Sequence, residues 1–254
     1  MDAPAARGLC HPQSVPPARG QERSMEVGRK AAARAWKCSR TYPQPVHSRV
    51  TIMGGEHRSR ILHTPNGEEV TRPMTGRVKE SIFNILRGWF EDAVVLDLFA
   101  GVGTMGLEAL SRGARFAIFV ERDRGVYDCM RKNIDMLGLG ARSRALQADA
   151  LAPALLAELK EVVDVIFVDP PYPIAEQTSG KRRILDQCAR LRGAMGDRGW
   201  MVLRLPYVLE GDERTIAGFN GPEVRTFGDM HVHLYSPRAG AAAVQVVETP
   251  EESA

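Results

Sequence analysis

Cysteine pairs, metal-ligand clusters and long apolar runs are all missing from this chain of 254 residues, and each absence removes a class of protein. The four cysteines, Cys10, Cys38, Cys129 and Cys188, have neither CxxC spacing nor a partner pattern of metal-ligand type. Neither a disulfide scaffold nor a zinc site is therefore expected, and a reducing, cytoplasmic setting is. His57, His63, His231 and His233 show no ligand spacing either, so no metal is expected. No stretch approaches the roughly 18 uninterrupted apolar residues of a membrane helix. Even residues 162–168 are broken by Asp164, so a soluble protein with no membrane partner is expected. Hydrophobic residues at 44% and charged residues at 26% are ordinary globular values, enough to bury a sizeable core.

Acidic residues are scarce in the first fifty positions, where Arg7, Arg19, Arg23, Arg29, Lys30, Arg34, Lys37, Arg40 and Arg49 face only Asp2, Glu22 and Glu26. The whole chain carries a formal charge of +3, so the remainder is slightly acidic. This leader also holds Pro4, Pro12, Pro16, Pro17, Pro43 and Pro45 with little apolar periodicity, a composition that cannot offset the entropy of ordering. No apolar core of a secretory signal follows its arginines. Residues 1–48 read as a basic, proline-rich, disordered leader: an organelle transit segment, sequence upstream of the true start, or an electrostatic arm. The protein is organellar if the leader is a transit peptide.

From Val50 the texture changes. Val50 to Met53 and Arg58 to Leu62 flank Gly54-Gly55 and predict a small β-hairpin; a helix is expected over Gly76 to Phe90. These make an N-terminal element over 49–92. From Ala93 strands alternate with helices, which predicts an α/β domain over 93–238 with a mostly parallel sheet. The expected strands are Val94–Leu98, Phe116–Glu121, Arg144–Gln147, Val163–Val168 and Trp200–Leu205. The expected helices are Thr104–Arg112, Gly125–Leu137, Pro153–Leu159 and Lys181–Leu191. Glu223–Phe227 and Val232–Tyr235, joined through Gly228-Asp229, predict an antiparallel hairpin at the sheet edge, before a flexible tail over 239–254.

Two constellations carry chemistry. The first is Asp97-Leu98-Phe99-Ala100-Gly101-Val102-Gly103-Thr104-Met105-Gly106, a GxGxxG between a strand and a helix. Glu121 ends the next strand about 20 residues on, where a carboxylate can accept both hydroxyls of a ribose. Asp149, after the third strand, is similarly placed for an adenine amino group, although an Asp there also suits a turn or helix cap. Asp97 selects the cofactor: a carboxylate upstream of the loop would oppose a pyrophosphate but suits the sulfonium and ammonium of S-adenosylmethionine.

The second is Asp169-Pro170-Pro171-Tyr172, directly after Ile166-Phe167-Val168 and so at the carboxyl end of a strand. Two prolines stiffen the turn and withhold N–H donors. The Asp169 carboxylate and Pro170 carbonyl can accept both hydrogens of an exocyclic amine while Tyr172 stacks on the base.

These residues, with Ile52-Met53-Gly54-Gly55, Arg58-Ser59-Arg60, Thr71 to Glu80 and Gly106 to Gly113, resemble the RsmD-type ribosomal RNA guanine-N2 methyltransferases over about Val50 to Pro237. The resemblance implies a Rossmann-like S-adenosylmethionine-dependent fold with a seven-stranded sheet. It also implies methylation of a guanine 2-amino group in 16S, small-subunit ribosomal RNA, free or on an assembling subunit, by a monomer. By that likeness Asp97, Phe99, Gly101, Gly103, Glu121, Arg122 and Asp149 hold the cofactor, Asp169, Pro170 and Tyr172 the guanine, and Arg58, Arg60 and Arg72 the RNA. The chain departs from the family at Ser59, Gly76, Arg204 and Phe227 to Met230, departures read as leaving the chemistry untouched. Other readings stay open: methylation of another RNA, of DNA adenine or of a protein amide, or an inactive RNA-binding scaffold.

Overall fold

Seven stretches, the central ones rich in Val, Ile, Leu and Phe, become the strands of one sheet in the computed structural model, which describes residues 49–65 and 76–240. The strands are β1 (Val94–Asp97), β2 (Phe116–Glu121), β3 (Ser143–Gln147), β4 (Val163–Val168), β5 (Met195–Leu205), β6 (Phe219–Phe227) and β7 (Met230–Pro237). Their order is β3-β2-β1-β4-β5-β7-β6. The first five pair in parallel, and β7 lies antiparallel between β5 and β6. The helices are α1 (Gly76–Ile85), α2 (Thr104–Ser111), α3 (Arg124–Met136), α4 (Tyr172–Ala175) and α5 (Thr178–Leu191).

Parallel strands covered by helices on both faces need apolar residues on both faces. Successive residues accordingly enter two core layers. Val95, Phe119, Phe167 and Val202 pack with Val78, Ile82 and Phe83 of α1, Leu107 and Leu110 of α2, and Met130 and Ile134 of α3. Leu96, Ile118, Ile166 and Leu203 pack on the other face with Leu155 and with Ile184, Cys188 and Leu191 of α5. Burying each such side chain contributes about 1.5–3 kcal/mol before entropy is counted. The strand order reverses direction between β1 and β4, which opens a crevice at their carboxyl ends.

The N-terminal element differs from expectation in extent. The expected hairpin is present but short: Val50–Ile52 and Arg60–Leu62 pair antiparallel about the single bridge Thr51 with Ile61, Ile52 N–H donating to the Arg60 carbonyl and Leu62 N–H to the Val50 carbonyl, while the donors beyond turn toward α2. The Met53 and Gly54 N–H groups donate to the two oxygens of the fully buried Glu108 carboxylate at 2.8 and 2.9 Å. Glu56 N–H reaches the Ser111 carbonyl at 2.7 Å and His57 N–H the Ser111 Oγ at 2.9 Å. Gly55, at φ 76°, sits so close that a Cβ would lie 1.7 Å from the Ser111 carbonyl oxygen. Lys79 of α1 completes the joint, its Nζ 3.0 Å from Glu108 and 2.6 Å from the Thr51 carbonyl. Burial pulls the Lys79 pKa down and the Glu108 charge opposes it. Arg112 donates to Glu108 at 2.8 Å and lies 4.8 Å over the Phe83 ring.

Other boundaries move for local reasons. Helix α1 stops at Ile85, and the chain continues in tight turns through Gly88 at φ 88° that still bury Leu86 and Phe90. Pro153–Glu158 is a 3-10 helix, not an α-helix, and the short α4 was not expected. Strand β6 begins at Phe219, earlier than expected, because its outward residues Asn220, Glu223 and Arg225 are those of an edge strand and hide the pattern. The leader, residues 66–75 and the tail after 240 lie outside the described residues.

Candidate active site

Asp97, Glu121, Asp149 and Asp169 come from the carboxyl ends of β1, β2, β3 and β4 or the turns just after them, so the topology brings the expected acids to one edge of the sheet. Asp97 is 1% exposed and its Oδ2 accepts the Gly106 N–H at 2.9 Å. Burial pushes its pKa up to about 7; the Gly106 bond opposes the rise, and Asp169 and Glu121 add to it. Between Asp97 and α2 the loop turns through Gly101 and Gly103 at φ 55° and 88°. Gly106 brings α2 onto the sheet, where a Cβ would stand 2.3 Å from the Phe119 ring. Phe99 is half-buried beside this loop.

Glu121 straps the loop from behind: Oε2 accepts the Gly101 N–H at 3.0 Å and Oε1 the Asp123 N–H at 2.8 Å. Each oxygen keeps a lone pair for a hydroxyl. Arg122, beside it, is exposed. Asn133 of α3 ties the loop to the N-terminal element, donating to the Val102 and His63 carbonyls at 3.0 Å and accepting the His63 N–H at 2.7 Å. Asp149 makes the local turn, Oδ1 accepting from Leu151 N–H at 2.9 Å, while Oδ2 meets Arg183 of α5 at 3.4 Å.

On the other side, Pro171 forms the N-terminal cap of α4, and its carbonyl is taken up by the Ile174 and Ala175 N–H groups at 2.9 and 3.1 Å. The Pro170 carbonyl is not drawn into that helix. Asp169 Oδ1 accepts from Arg204 Nε at 2.5 Å. The Arg204 guanidinium also lies 5.6 Å over the Tyr172 ring and reaches the Tyr172 hydroxyl at 3.5 Å and the Met230 sulfur at 3.0 Å. Burial raises the Asp169 pKa and the Arg204 charge opposes the rise. Arg204, read from the sequence as a departure that leaves the chemistry untouched, is a direct partner of the strand-end acid. Its signal was a lone charge in the apolar run Trp200 to Leu205, on a strand whose pairing, Phe167 with Val202 and Val168 with Leu203, leads on to Asp169 beside Arg204.

Arg58 and Arg60 are exposed on the N-terminal element, and Arg72 lies outside the described residues. Among the described residues there is no group of three or more side chains arranged for a metal ion, and no helix is long and apolar enough to cross a membrane.

The acid set tests the cofactor. Carboxylates behind a glycine loop, one of them buried without a cationic partner among the described residues, fit hydroxyls, amines and a sulfonium and oppose phosphates. Fold and site together define a Rossmann-like methyltransferase that uses S-adenosylmethionine.

The comparisons agree. The model of the family described as conserved hypothetical protein 95 matches residues 50–236. The ribosomal RNA small subunit methyltransferase D of Escherichia coli K12 is 37% identical over 161 residues, 62% of this chain and 74% of its own length. Its Haemophilus influenzae counterpart is 38% identical over 135 residues, 50% of this chain and 67% of its own. The solved structure of the Escherichia coli protein yhhF superposes with a TM-score of 0.62 at 30% identity, covering 75% of this chain and 99% of that one. The chain belongs to the conserved hypothetical protein 95 family, the RsmD-type methyltransferases.

Proposed function

We propose that this protein methylates the exocyclic 2-amino group of one guanine in small-subunit ribosomal RNA, acting as a monomer in the cytoplasm on the RNA or its assembling subunit. The observation that carries the reading is the Asp169-Pro170-Pro171-Tyr172 turn, set after β4 beside Asp97 at the switch of the sheet. In this reading Asp97, Glu121 and Asp149, with Phe99, Gly101, Gly103 and Arg122, hold the cofactor, while Arg58, Arg60 and Arg72 meet phosphates of the RNA.

When bound, S-adenosylmethionine supplies an electrophilic methyl group on a sulfonium. An exocyclic amine is a poor nucleophile because its lone pair is delocalised into the base. Asp169 and the Pro170 carbonyl accept its two hydrogens and draw the nitrogen toward tetrahedral geometry, while Tyr172 fixes the ring plane. Asp169 then holds the proton that the substituted nitrogen releases. The protein's contribution is positioning and fixed charge, with no covalent enzyme intermediate.

The test is transfer of labelled methyl to small subunits lacking the modification, with free ribosomal RNA, DNA and the Asp169→Ala protein beside it. Label recovered as 2-methylguanine in ribosomal RNA, and lost with the variant, is the expected result. Label on DNA or protein instead, or cofactor binding with no transfer to any acceptor, would overturn the reading.

A further inference from the structure

We infer that Arg204 is a positioning residue for methyl transfer, anchoring one oxygen of Asp169 so that the carboxylate stays charged and offers its other oxygen to the amino group. The inference rests on the reading of Asp169 as the amine acceptor. Its ground is geometric. The Arg204 side chain is itself 9% exposed, its Nε lies 2.5 Å from Asp169 Oδ1, and the same guanidinium spans the Tyr172 ring and hydroxyl. One side chain from β5 therefore fixes both groups that flank the base. Asp169 Oδ2 has no hydrogen-bond partner among the described residues.

Electrostatics supply the reason such a residue is needed. Among the described residues, the charged and titratable groups around Asp169 are Arg204 from β5, Tyr172 from α4 and Asp97 from β1, with Glu121 of β2 beyond Asp97. Burial favours a protonated Asp169, which would donate where it must accept, and Arg204 opposes that; among the described residues it is the one cation paired with this acid. Arg204 is also not free to move, because Met230 of β7 meets its other nitrogen at 3.0 Å. A guanidinium fits this task better than an ammonium, since its fork binds the carboxylate and presents a flat face to Tyr172 at once.

Two variants and two readouts test this. Arg204→Met removes the charge and the donors; Arg204→Gln keeps a donor without the charge, and serves should the Met protein not fold. Loss of the cation moves the Asp169 titration upward, so the acid limb of the kcat profile shifts to higher pH by about one unit or more. At pH 7 kcat falls about tenfold or more and recovers toward alkaline pH, while KM for S-adenosylmethionine changes less than about threefold. Arg204→Lys restores most of the limb position. Independently of any RNA, the carbon-13 carboxyl signal of Asp169, assigned with Asp169→Asn, titrates higher in Arg204→Met than in the unaltered protein. An unmoved limb with a loss equal at all pH values, or an unmoved carboxyl titration, would overturn the inference. Failure of the unaltered protein to methylate ribosomal RNA, with the carboxyl shift present, would instead sink the functional reading and leave the charge pairing standing.

Discussion

Asp97 and Asp169 finish neighbouring strands of the same sheet, and both are withdrawn from water, yet they are neutralised in different ways. Asp97 takes the Gly106 N–H and has no ion-pair partner among the described residues, so burial lifts its pKa to about 7. Asp169 carries a guanidinium from β5 against its own lift. The difference teaches what each is for. On the proposed reading Asp97, a buried carboxylate without a cation among the described residues, is a receptor for one, and the missing charge arrives with the ligand. On the same reading Asp169, already paired with Arg204, has its ionised form favoured before the ligand arrives and accepts hydrogen bonds from a neutral base.

A crossed substitution breaks this comparison most directly. Asp169→Asn is expected to lower kcat by about a hundredfold or more while leaving the cofactor Kd within about threefold, a loss on the scale of removing one preorganised polar group from a reacting centre. Asp97→Asn is expected to do the reverse in kind, weakening the cofactor about tenfold to a hundredfold, as for loss of a charged hydrogen-bond partner. Calorimetric binding beside single-turnover transfer separates the two, and equal effects of both changes on Kd would dissolve the distinction.

The pH dependence sharpens it. Asp97 ionises in the free protein only as pH rises through about 7, so binding of a cationic ligand strengthens from pH 6 to pH 8, by about tenfold. The stability of the ligand-free protein runs the other way. A carboxyl whose folded pKa lies above its unfolded value stabilises the fold fully below about 4, and that contribution is lost as pH rises toward 7. Melting temperatures with and without S-adenosylmethionine across this window are expected to diverge as pH rises; parallel curves would refute the assignment of Asp97 as the cation receptor. Smaller again is Glu121→Ala, expected to weaken the cofactor by about three- to tenfold, since the lost carboxylate both braces Gly101 and serves a hydroxyl. Titration by intrinsic fluorescence or calorimetry would show it.

Much of this was legible in the order of residues. Alternating apolar runs and glycine turns place β1 to β5 with their acids, because a parallel sheet demands two buried faces and its ligands collect where the strand order reverses. What escaped reading was contact between residues far apart in the chain. Arg204 stands 35 positions from Asp169, and the joint of Glu108 with Met53 and Gly54 spans more than 50. Periodicity carries no record of such pairings. The same cause explains why the hairpin stays short, since donors at Met53, Gly54, Glu56 and His57 are claimed by α2.

Helix α2 has only eight residues, and seven of them are buried. Its first turn closes the glycine loop on Asp97, its middle offers Glu108 to the N-terminal element, and its last residue, Ser111, holds that element's turn. The arm that carries Arg58 and Arg60 is consequently not a cassette that can be exchanged between enzymes. Cutting the chain ahead of β1 would take Lys79 and the backbone donors from Glu108, leave Arg112 as its partner, and uncover the core face that α1 buries. The arm and the glycine loop are packed as one piece through α2, so on the proposed reading a change of RNA contact belongs in the exposed tips of that arm while its root stays fixed.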